Sequence, residues 1–288
     1  MSELVFSQLI VLAINAAFKA GIIQKEIYSK NFEIEYKSDH SPVTEADKLS
    51  NEIIKETLKP STFPYLSEED LEIDFDIRKN WKYYWIIDPL DGTKEFIKKN
   101  DEFSVNIAFA KDKKIIFGVV YSPILGEVYF NINSNSAYKA KINSLLNFEN
   151  FTEFLNNSKK INPKEVSDNI TIAASRSHLN EKTQNFINFV NDNSKKSVNI
   201  INRGSAFKIC LVAEGYAQIY PRFGPTSEWD TAAGHAILNA VGGKIISLDT
   251  LQEIEYNREN ILNSDFFAFS GKTGETIFRN YLSALSSK

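Results

Sequence analysis

An apolar, β-prone run near the end of the first third of the chain leads into two aspartates. Asp88 and Asp91 stand three positions apart and are followed by Gly92 and Thr93. Pro89 fixes its own backbone and favours an extended Asp88, so we expect the chain to turn after the strand and the carboxylates to converge. Mg²⁺ prefers oxygen ligands, usually one or two carboxylates with phosphate and water. The stretch therefore predicts a site for a divalent cation.

The same stretch also has the features of a phosphate site. Gly92 allows backbone N–H groups to approach a ligand closely, and a helix that follows would direct its positive end at an anion. A strand, an Asp-Gly turn and a helix cap are the ordinary structural alternative, because these are common turn residues. The haloacid-dehalogenase phosphatases are set aside, since their motif has one residue between the aspartates and this chain has two.

Three further acids stand at the ends of predicted elements. Thr44 and Asp47 form a near capping box, so local pattern alone favours a structural role for Asp47. Glu68 follows a short strand, as Asp88 does, and ligands of open α/β sheets lie at the carboxyl ends of strands. Asp230 stands at a helix start, where an N-cap role explains it equally well. Together the acids predict a shared acidic cleft formed by Asp47, Glu68, Asp88, Asp91 and Asp230.

Composition narrows the classes of function. The 288 residues are 43% hydrophobic and 24% charged with a formal net charge of −4, which is typical of a globular chain without a basic surface for nucleic acid. We therefore expect a small anionic substrate rather than a nucleic-acid polymer. The lone Cys210 leaves no intrachain disulfide and suits a reducing compartment. We expect a cytoplasmic location, and leave open both peripheral association at the inner membrane and the oligomeric state.

Apolar periodicity indicates the elements of the first half. Leu4 to Phe18 is expected to form an amphipathic helix, with a signal peptide as the alternative; no run has the length of a membrane span. A helix is predicted from Thr44 to about Leu58. The predicted strands are Phe32 to Lys37, Tyr65 to Ser67, Trp81 to Ile87, and an antiparallel meander of Phe103 to Ala110, Ile115 to Ser122 and Glu127 to Ile132.

A composition shift over residues 131–169, rich in Asn, Lys and Ser, predicts a boundary between two units. Residues 1–150 would carry the antiparallel sheet and most metal ligands, and residues 151–288 would be an α/β unit that contributes Asp230 and nucleotide contacts. Its predicted strands are Ile170 to Ala174, Ser197 to Ile201, Ala217 to Tyr220 and Lys244 to Ser247. Its predicted helices are Leu179 to Val190, Gly204 to Ala213 and Thr231 to Val241.

A helix start in this second unit offers another anion site. Gly204 and Ser205 would open the helix, and Lys208 one turn later could hold a phosphate. An ordinary cap with a solvated lysine is the alternative that the local pattern favours.

Five segments together resemble the inositol monophosphatase superfamily of lithium-sensitive, Mg²⁺-dependent phosphatases. They are Ser41 to Asp47, Leu66 to Glu69, Asp88 to Phe96, Tyr220 to Thr226 and Trp229 to Gly234. Within the superfamily the chain is most similar to the 3′(2′),5′-bisphosphate nucleotidases of the CysQ type. That finer resemblance depends on Lys94-Glu95-Phe96, Ser175 to His178, and the Tyr220 to Thr226 block.

The resemblance implies a layered α/β/α/β/α sugar-phosphatase fold and two or three Mg²⁺ ions. The implied reaction is hydrolysis of the 3′-phosphate of adenosine 3′,5′-bisphosphate to AMP and phosphate, which supports sulfate assimilation. Whether the sulfated form of this nucleotide is also a substrate stays open. The partner would be a small-molecule nucleotide bisphosphate.

The resemblance also implies roles for individual residues. Asp47 and Thr93 would be catalytic and activate the attacking water. The metal ligands would be Glu68, Asp88, the carbonyl of Leu90, Asp91 and Asp230. The substrate contacts would come from Glu68, Leu90, Asp91, Gly92, Thr93, Ser175, Arg176, Ser177, His178, Gly204, Ser205, Lys208, Arg222 and Asp230.

Two competing functions share this fold. An inositol-1-monophosphatase would use every one of the same metal ligands. A non-catalytic nucleotide-sensing protein is the alternative of another class, and degenerate relatives of that kind are expected to have lost an acid or the threonine. All six of these residues are present here, namely Asp47, Glu68, Asp88, Asp91, Thr93 and Asp230.

Overall fold

The computed structural model describes residues 3–37, 42–70, 73–146, 148–163, 169–175 and 180–286. The α-helices are α1 Glu3–Tyr28, α2 Glu45–Leu58, α3 Phe75–Arg78, α4 Thr93–Ile97, α5 Phe148–Asn156, α6 Glu181–Asn193, α7 Phe207–Glu214, α8 Glu228–Asn239 and α9 Gly271–Ser286. The strands are β1 Ile34–Tyr36, β2 Pro42–Thr44, β3 Tyr65–Ser67, β4 Tyr83–Asp91, β5 Ser104–Lys111, β6 Lys114–Ser122, β7 Glu127–Asn133, β8 Ser136–Lys141, β9 Lys159–Lys160, β10 Asn169–Ser175, β11 Ser197–Arg203, β12 Ile219–Arg222, β13 Lys244–Ser247 and β14 Phe266–Phe269.

Helices and sheets alternate in five layers. Helices α1 and α2 cover one face of a seven-stranded sheet, and α7 and α8 lie between its other face and a five-stranded sheet. Helices α6 and α9 cover the outer face of the five-stranded sheet. Separate clusters of buried apolar side chains fill the interfaces between layers. The predicted α/β/α/β/α layering is confirmed.

The seven-stranded sheet has the order β3-β4-β5-β6-β7-β8-β9, and only β3 and β4 among its paired strands are parallel. The predicted meander is therefore present as β5, β6 and β7. Strand β4 is apolar on both faces, because Tyr84 and Ile86 join the cluster under α7 and α8 while Trp85 and Ile87 join the cluster under α1. Side chains alternate between the faces of a strand, so a continuous apolar run suits a strand covered on both sides.

The five-stranded sheet has the order β11-β10-β12-β14-β13. Strand β10 is parallel to β11 and β12, whereas β14 is antiparallel to β12 and β13. Residues beyond Ser247 carry no predicted element, yet Phe266–Phe269 forms β14 and Gly271–Ser286 forms α9. The division of the chain near residue 150 stays a prediction.

Helix α8 lies against the seven-stranded sheet through small residues. A Cβ atom added to Gly118 of β6 would lie 2.2 Å from the carbonyl oxygen of Ala233. Only glycine allows this approach of strand to helix. The helix begins at Glu228 rather than at the predicted Thr231, and this difference changes the position of Asp230 within it.

Helix α1 extends to Tyr28, well beyond the predicted end at Phe18. By length and composition alone, Leu4–Tyr28 is long and apolar enough to cross a membrane, which corrects the prediction that no run has that length. In this structure 56% of the most apolar 18-residue part of the helix is buried. Leu9 and Ile14, for example, pack in the core beneath the seven-stranded sheet. A helix buried in the core of a globular protein can have the same length and the same apolar composition.

Candidate active site

The two aspartates of the opening stretch lie on β4 itself. The strand continues through Pro89 to Asp91 instead of turning after Asp88, which corrects the predicted turn. Asp88 lies opposite Asn106 and Asp91 opposite Ser104, so one extra residue is inserted between the two pairs. Because side chains alternate along a strand, this bulge is what places Asp88 and Asp91 on the same face of the sheet.

Asp88 is the most buried of the acids, with 1% of its surface exposed. Its Oδ1 accepts a hydrogen bond from the backbone N–H of Leu90 at 3.1 Å, and its buried Oδ2 has no donor among the described residues. Burial, and after it the negative charges of Glu68 and Asp91, raise the pKa of Asp88 well above its usual range. Such a carboxylate is unfavourable unless a cation neutralises it.

Asp230 lies close to this pair but comes from the second half of the chain. One carboxylate oxygen from each of Asp88, Asp91 and Asp230 lies within 4.8 Å of the other two. Burial and the charge of Asp91 raise the pKa of Asp230 to about 8. Three converging carboxylates match the hard oxygen ligands of Mg²⁺.

The start of α8 fixes the position of Asp230. Ser227 is the N-cap and Asp230 the third helical residue, so the alternative in which Asp230 is itself the N-cap does not hold, although Asp230 completes the capping box. The backbone N–H of Ser227 donates to Asp230 Oδ2 at 2.5 Å. The buried Glu228 adds a second restraint, because it accepts hydrogen bonds from the backbone N–H groups of Asn257 and Arg258 at 2.6 and 2.9 Å.

Glu68 comes from the neighbouring strand end. Strand β3 runs parallel to β4, and the backbone N–H of Glu68 donates to the carbonyl of Ile87 at 3.2 Å. Its carboxylate accepts a hydrogen bond from Lys37 Nζ at 3.1 Å. Burial raises the pKa of Glu68 to about 7, against the opposing effect of Lys37. Glu68 stands outside the group of three oxygens, but its charge raises the pKa of both Asp88 and Asp230.

The two carboxylate oxygens of Asp47 accept hydrogen bonds from different residues. Its Oδ2 accepts hydrogen bonds from the backbone N–H and the hydroxyl of Thr44 at 2.8 and 2.7 Å, which completes a capping box at the start of α2. Its Oδ1 accepts a hydrogen bond from Thr93 Oγ1 at 3.0 Å. Burial raises the pKa of Asp47, whereas the Thr44 and Thr93 hydrogen bonds oppose the rise. The capping and catalytic interpretations of Asp47 are therefore compatible.

Gly92 connects β4 to the five-residue helix α4, of which Thr93 is the first residue. Its φ of +94° lies in the left-handed region, and an added Cβ would stand 3.2 Å from the carbonyl oxygen of Glu102. Glycine is required here by conformation and by space.

Most of the predicted substrate contacts that the structure describes line a cleft of about 180 Å³ beside the acids, whereas Glu68, Leu90 and Thr93 are absent from its lining. Arg222, at the end of β12, donates through Nη2 to the carbonyl of Pro225 at 2.9 Å, while its buried Nε has no acceptor among the described residues. Ser175 ends β10. The predicted contacts in this lining are Asp91, Gly92, Ser175, Gly204, Ser205, Lys208, Arg222 and Asp230. Arg176, Ser177 and His178 lie outside the described residues.

The turn before α7 differs from its predicted form. Gly204 and Ser205 precede the helix, which begins at Phe207 and whose N-cap makes no side-chain capping hydrogen bond. The backbone N–H of Gly204 donates to Glu102 at 3.0 Å, and the Ser205 hydroxyl donates to Asp91 Oδ2 at 2.7 Å. Ser205 is thus directed at a predicted metal ligand.

Lys208 is buried and not solvated, contrary to the locally favoured alternative, with 6% of its surface exposed. Its Nζ donates to the carbonyls of Ser205 and Arg203 at 2.7 and 3.2 Å. Burial lowers the pKa of Lys208 to about 8, although the charge of Asp91 opposes this. The lysine lines the cleft.

Several polar residues that contact the site were not predicted from the sequence. Asn106 donates to Asp91, Glu102 accepts from Gly204, and Lys37 pairs with Glu68. Asn106 had a signal in the sequence, because Ser104 and Asn106 alternate with Val105 and Ile107 in an otherwise apolar strand. A polar pair on one face of such a strand indicates a polar neighbour across that face.

Comparisons with known proteins by sequence and by structure give one consistent result. Residues 6–276 match the inositol monophosphatase family. The chain is 39% identical to the 3′(2′),5′-bisphosphate nucleotidase CysQ of Buchnera aphidicola, over 88% of this chain and 90% of that protein. It is 38% identical to the protein of the same name from Escherichia coli K12, over 87% of this chain and 95% of that protein. The crystal structure of CysQ from Bacteroides thetaiotaomicron superposes with a TM-score of 0.82 at 40% identity, covering 92% of this chain and 97% of that one.

Proposed function

We propose that this chain, which belongs to the inositol monophosphatase family, is a Mg²⁺-dependent 3′(2′),5′-bisphosphate nucleotidase. It hydrolyses the 3′-phosphate of adenosine 3′,5′-bisphosphate to AMP and phosphate, and so supports sulfate assimilation. The observation that carries the chemistry is the convergence of Asp88, Asp91 and Asp230 within 4.8 Å. The substrate class follows from the relatives that share 38–39% of its residues over most of the chain.

The acidic cluster fits magnesium by its donor set. It consists of three carboxylates, and burial and neighbouring negative charges raise the pKa values of Asp88 and Asp230. It also includes a buried oxygen, Oδ2 of Asp88, without a donor among the described residues. Two or three ions would be held by Glu68, Asp88, the Leu90 carbonyl, Asp91 and Asp230. Bound Mg²⁺ would supply an activated water and stabilise charge on the attacking and leaving oxygens.

Thr93 would orient the attacking water, and Asp47 would accept its proton. The Thr93 hydroxyl donates to Asp47 Oδ1 at 3.0 Å, so its own oxygen is left to accept a hydrogen bond from water. Burial raises the pKa of Asp47, which makes its carboxylate a stronger base. The capping box holds the other oxygen, so the base keeps a fixed orientation.

The backbone N–H groups of Gly92 and Thr93 would bind the scissile phosphate, and cationic side chains would bind the 5′-phosphate. Lys208 uses two N–H groups on carbonyls, which leaves its third for the phosphate. Arg222 lines the same cleft and offers a planar guanidinium suited to phosphate oxygens. Ser175, Gly204 and Ser205 complete the proposed nucleotide contacts. The cytoplasmic location stays a prediction, and the oligomeric state stays open.

Phosphate release from two substrates tests the proposal. Purified protein should release phosphate from adenosine 3′,5′-bisphosphate in the presence of Mg²⁺. Phosphate release should stop when the metal is removed by chelation. The rate with inositol 1-phosphate should be much lower, because that ester has no second phosphate for Lys208 and Arg222. Faster turnover of the inositol ester would overturn the substrate assignment, and release that is unaffected by chelation would overturn the metal assignment.

A further inference from the structure

Asn106 lies on β5 directly opposite Asp88, with 1% of its surface exposed. Its Nδ2 donates to Asp91 Oδ2 at 3.0 Å. A carboxylate only accepts hydrogen bonds, so the amide must present its NH₂ group to Asp91. We propose that Asn106 is a positioning residue that holds Asp91 in the orientation required to bind Mg²⁺. This inference rests on the proposed metal site and extends it to a residue that touches neither metal nor substrate.

The far end of the amide is fixed as well. Ser104, which is fully buried and lies opposite Asp91 in the same ladder, donates its hydroxyl to Asn106 Oδ1 at 2.7 Å. The amide is thus held at both ends, by Ser104 and by Asp91. Buried polar groups are stable only when hydrogen-bonded, and these two contacts satisfy both ends of the Asn106 side chain.

Asp91 receives a second donor from the other sheet. The Ser205 hydroxyl, in the turn between β11 and α7, donates to the same Oδ2 atom at 2.7 Å, and it also contacts the Ser104 hydroxyl. Because both donors use Oδ2, the remaining oxygen, Oδ1, is left for the cation held with Asp88 and Asp230. Hydrogen-bonded partners that orient a metal ligand commonly contribute about 10–100-fold to metal affinity.

Asn131 offers a matched control for Asn106. It is also 1% exposed, on β7 of the same sheet, and its amide makes three hydrogen bonds, to the N–H of Gly118 and to the carbonyls of Ile116 and Asn133. None of these partners belongs to the proposed metal site. Asn131→Ala therefore removes the same atoms and more hydrogen bonds than Asn106→Ala, without touching Asp91.

Calorimetric titration with Mg²⁺ in the absence of substrate, together with thermal unfolding, separates positioning from folding. We expect Asn106→Ala to weaken Mg²⁺ binding by about 10–100-fold, and Asn131→Ala to bind Mg²⁺ as the wild type does. In steady-state assays, excess Mg²⁺ should restore much of the kcat of Asn106→Ala. Equal Mg²⁺ affinity in wild type and Asn106→Ala, or equal losses in both variants, would overturn the inference.

A smaller change keeps the test decisive if Asn106→Ala does not fold. Ser104→Ala removes the hydroxyl that orients the amide and that also contacts Ser205. Ser122→Ala is its control, a buried serine at the end of β6. Ser104→Ala should weaken Mg²⁺ binding and Ser122→Ala should not; equal affinities in these two variants would also overturn the inference. If the wild type itself binds no Mg²⁺, the proposed function fails, whereas normal wild-type binding with unaffected variants removes only the role of Asn106.

Discussion

Helices α2 and α8 begin with the same capping arrangement, but the acid in each arrangement has a different proposed role in the reaction. Asp47 is the third residue of α2, after the N-cap Thr44, and Asp230 is the third residue of α8, after the N-cap Ser227. In each case the N-cap backbone N–H donates to one carboxylate oxygen of the acid, at 2.8 and 2.5 Å. Each acid therefore has one carboxylate oxygen engaged in the cap of its helix.

The other contacts of the two carboxylates differ. Asp47 Oδ1 accepts a hydrogen bond from the Thr93 hydroxyl, whereas a carboxylate oxygen of Asp230 converges with oxygens of Asp88 and Asp91. A hydroxyl neighbour suits a group that takes a proton, and carboxylate neighbours suit a group that shares a cation. One helix-start motif can thus supply a base or a metal ligand, and the neighbours that tertiary folding brings decide which.

The largest expected effect comes from Asp230→Asn. The amide keeps an oxygen for the Ser227 N–H but loses the charge that attracts Mg²⁺, so we expect phosphate release to fall by about 10³-fold. Steady-state assays of phosphate release would measure this. Asp74→Asn is the control, because Asp74 caps the short helix α3 and is absent from the cleft lining. Activity of Asp230→Asn within tenfold of the wild type would contradict a metal-ligand role.

Asp47→Asn should produce the next largest loss. The amide can still cap α2, but it cannot accept a proton, so kcat should fall by about 10²–10³-fold, within the range for general bases. The Mg²⁺ concentration that gives half-maximal activity should change little, in contrast to Asp230→Asn. A large shift in that concentration would place Asp47 among the metal ligands and end the distinction between the two helix starts.

Asp230 should also affect how the stability of the protein changes with pH when no metal is bound. The pKa of Asp230 is raised to about 8, so the folded protein keeps this proton up to that pH, whereas the unfolded chain releases it near its ordinary pKa of about 4. The protonated group therefore contributes stability that is full below pH 4 and is lost as pH rises to 8. Thermal melts should show Asp230→Asn gaining stability relative to the wild type over this interval. A constant difference between their melting temperatures would contradict the raised pKa.

The smallest predicted effect concerns the cap itself. Thr44 Oγ1 donates to Asp47 and accepts a hydrogen bond from the backbone N–H of Ala46 at 3.2 Å. Thr44→Ala should lower the free energy of unfolding by about 1 kcal/mol, the usual value for a lost N-cap. Thr44→Ser keeps the hydroxyl and should retain most of this stability in denaturant titrations. Equal unfolding free energies for the two variants would show that the hydroxyl contributes nothing to the cap.

The part of the site that sequence could predict is the part with local signals. The strand that leads into Asp88, the Gly92 turn and the capping box of Thr44 and Asp47 all follow from residue types and short spacings. The layered fold followed from the resemblance of five segments, since periodicity alone indicated only alternating helices and strands.

The remaining contacts depend on packing between distant segments. Ser205 and Asp91 are separated by 114 positions, and no local pattern indicates that they meet. The bulge that turns Asp88 and Asp91 to one face appears only in the register with β5. Tertiary contacts override local preference at each of these positions.

Mg²⁺ titration of the two matched variants, by calorimetry without substrate, tests the central claim most directly. Asp47→Asn should bind Mg²⁺ within about threefold of the wild type, whereas Asp230→Asn should bind at least about 100-fold more weakly, beyond the usual effect of losing an outer partner of a ligand. Equal weakening in both variants, or weaker binding in Asp47→Asn than in Asp230→Asn, would contradict the assignment of the base to α2 and the metal ligand to α8.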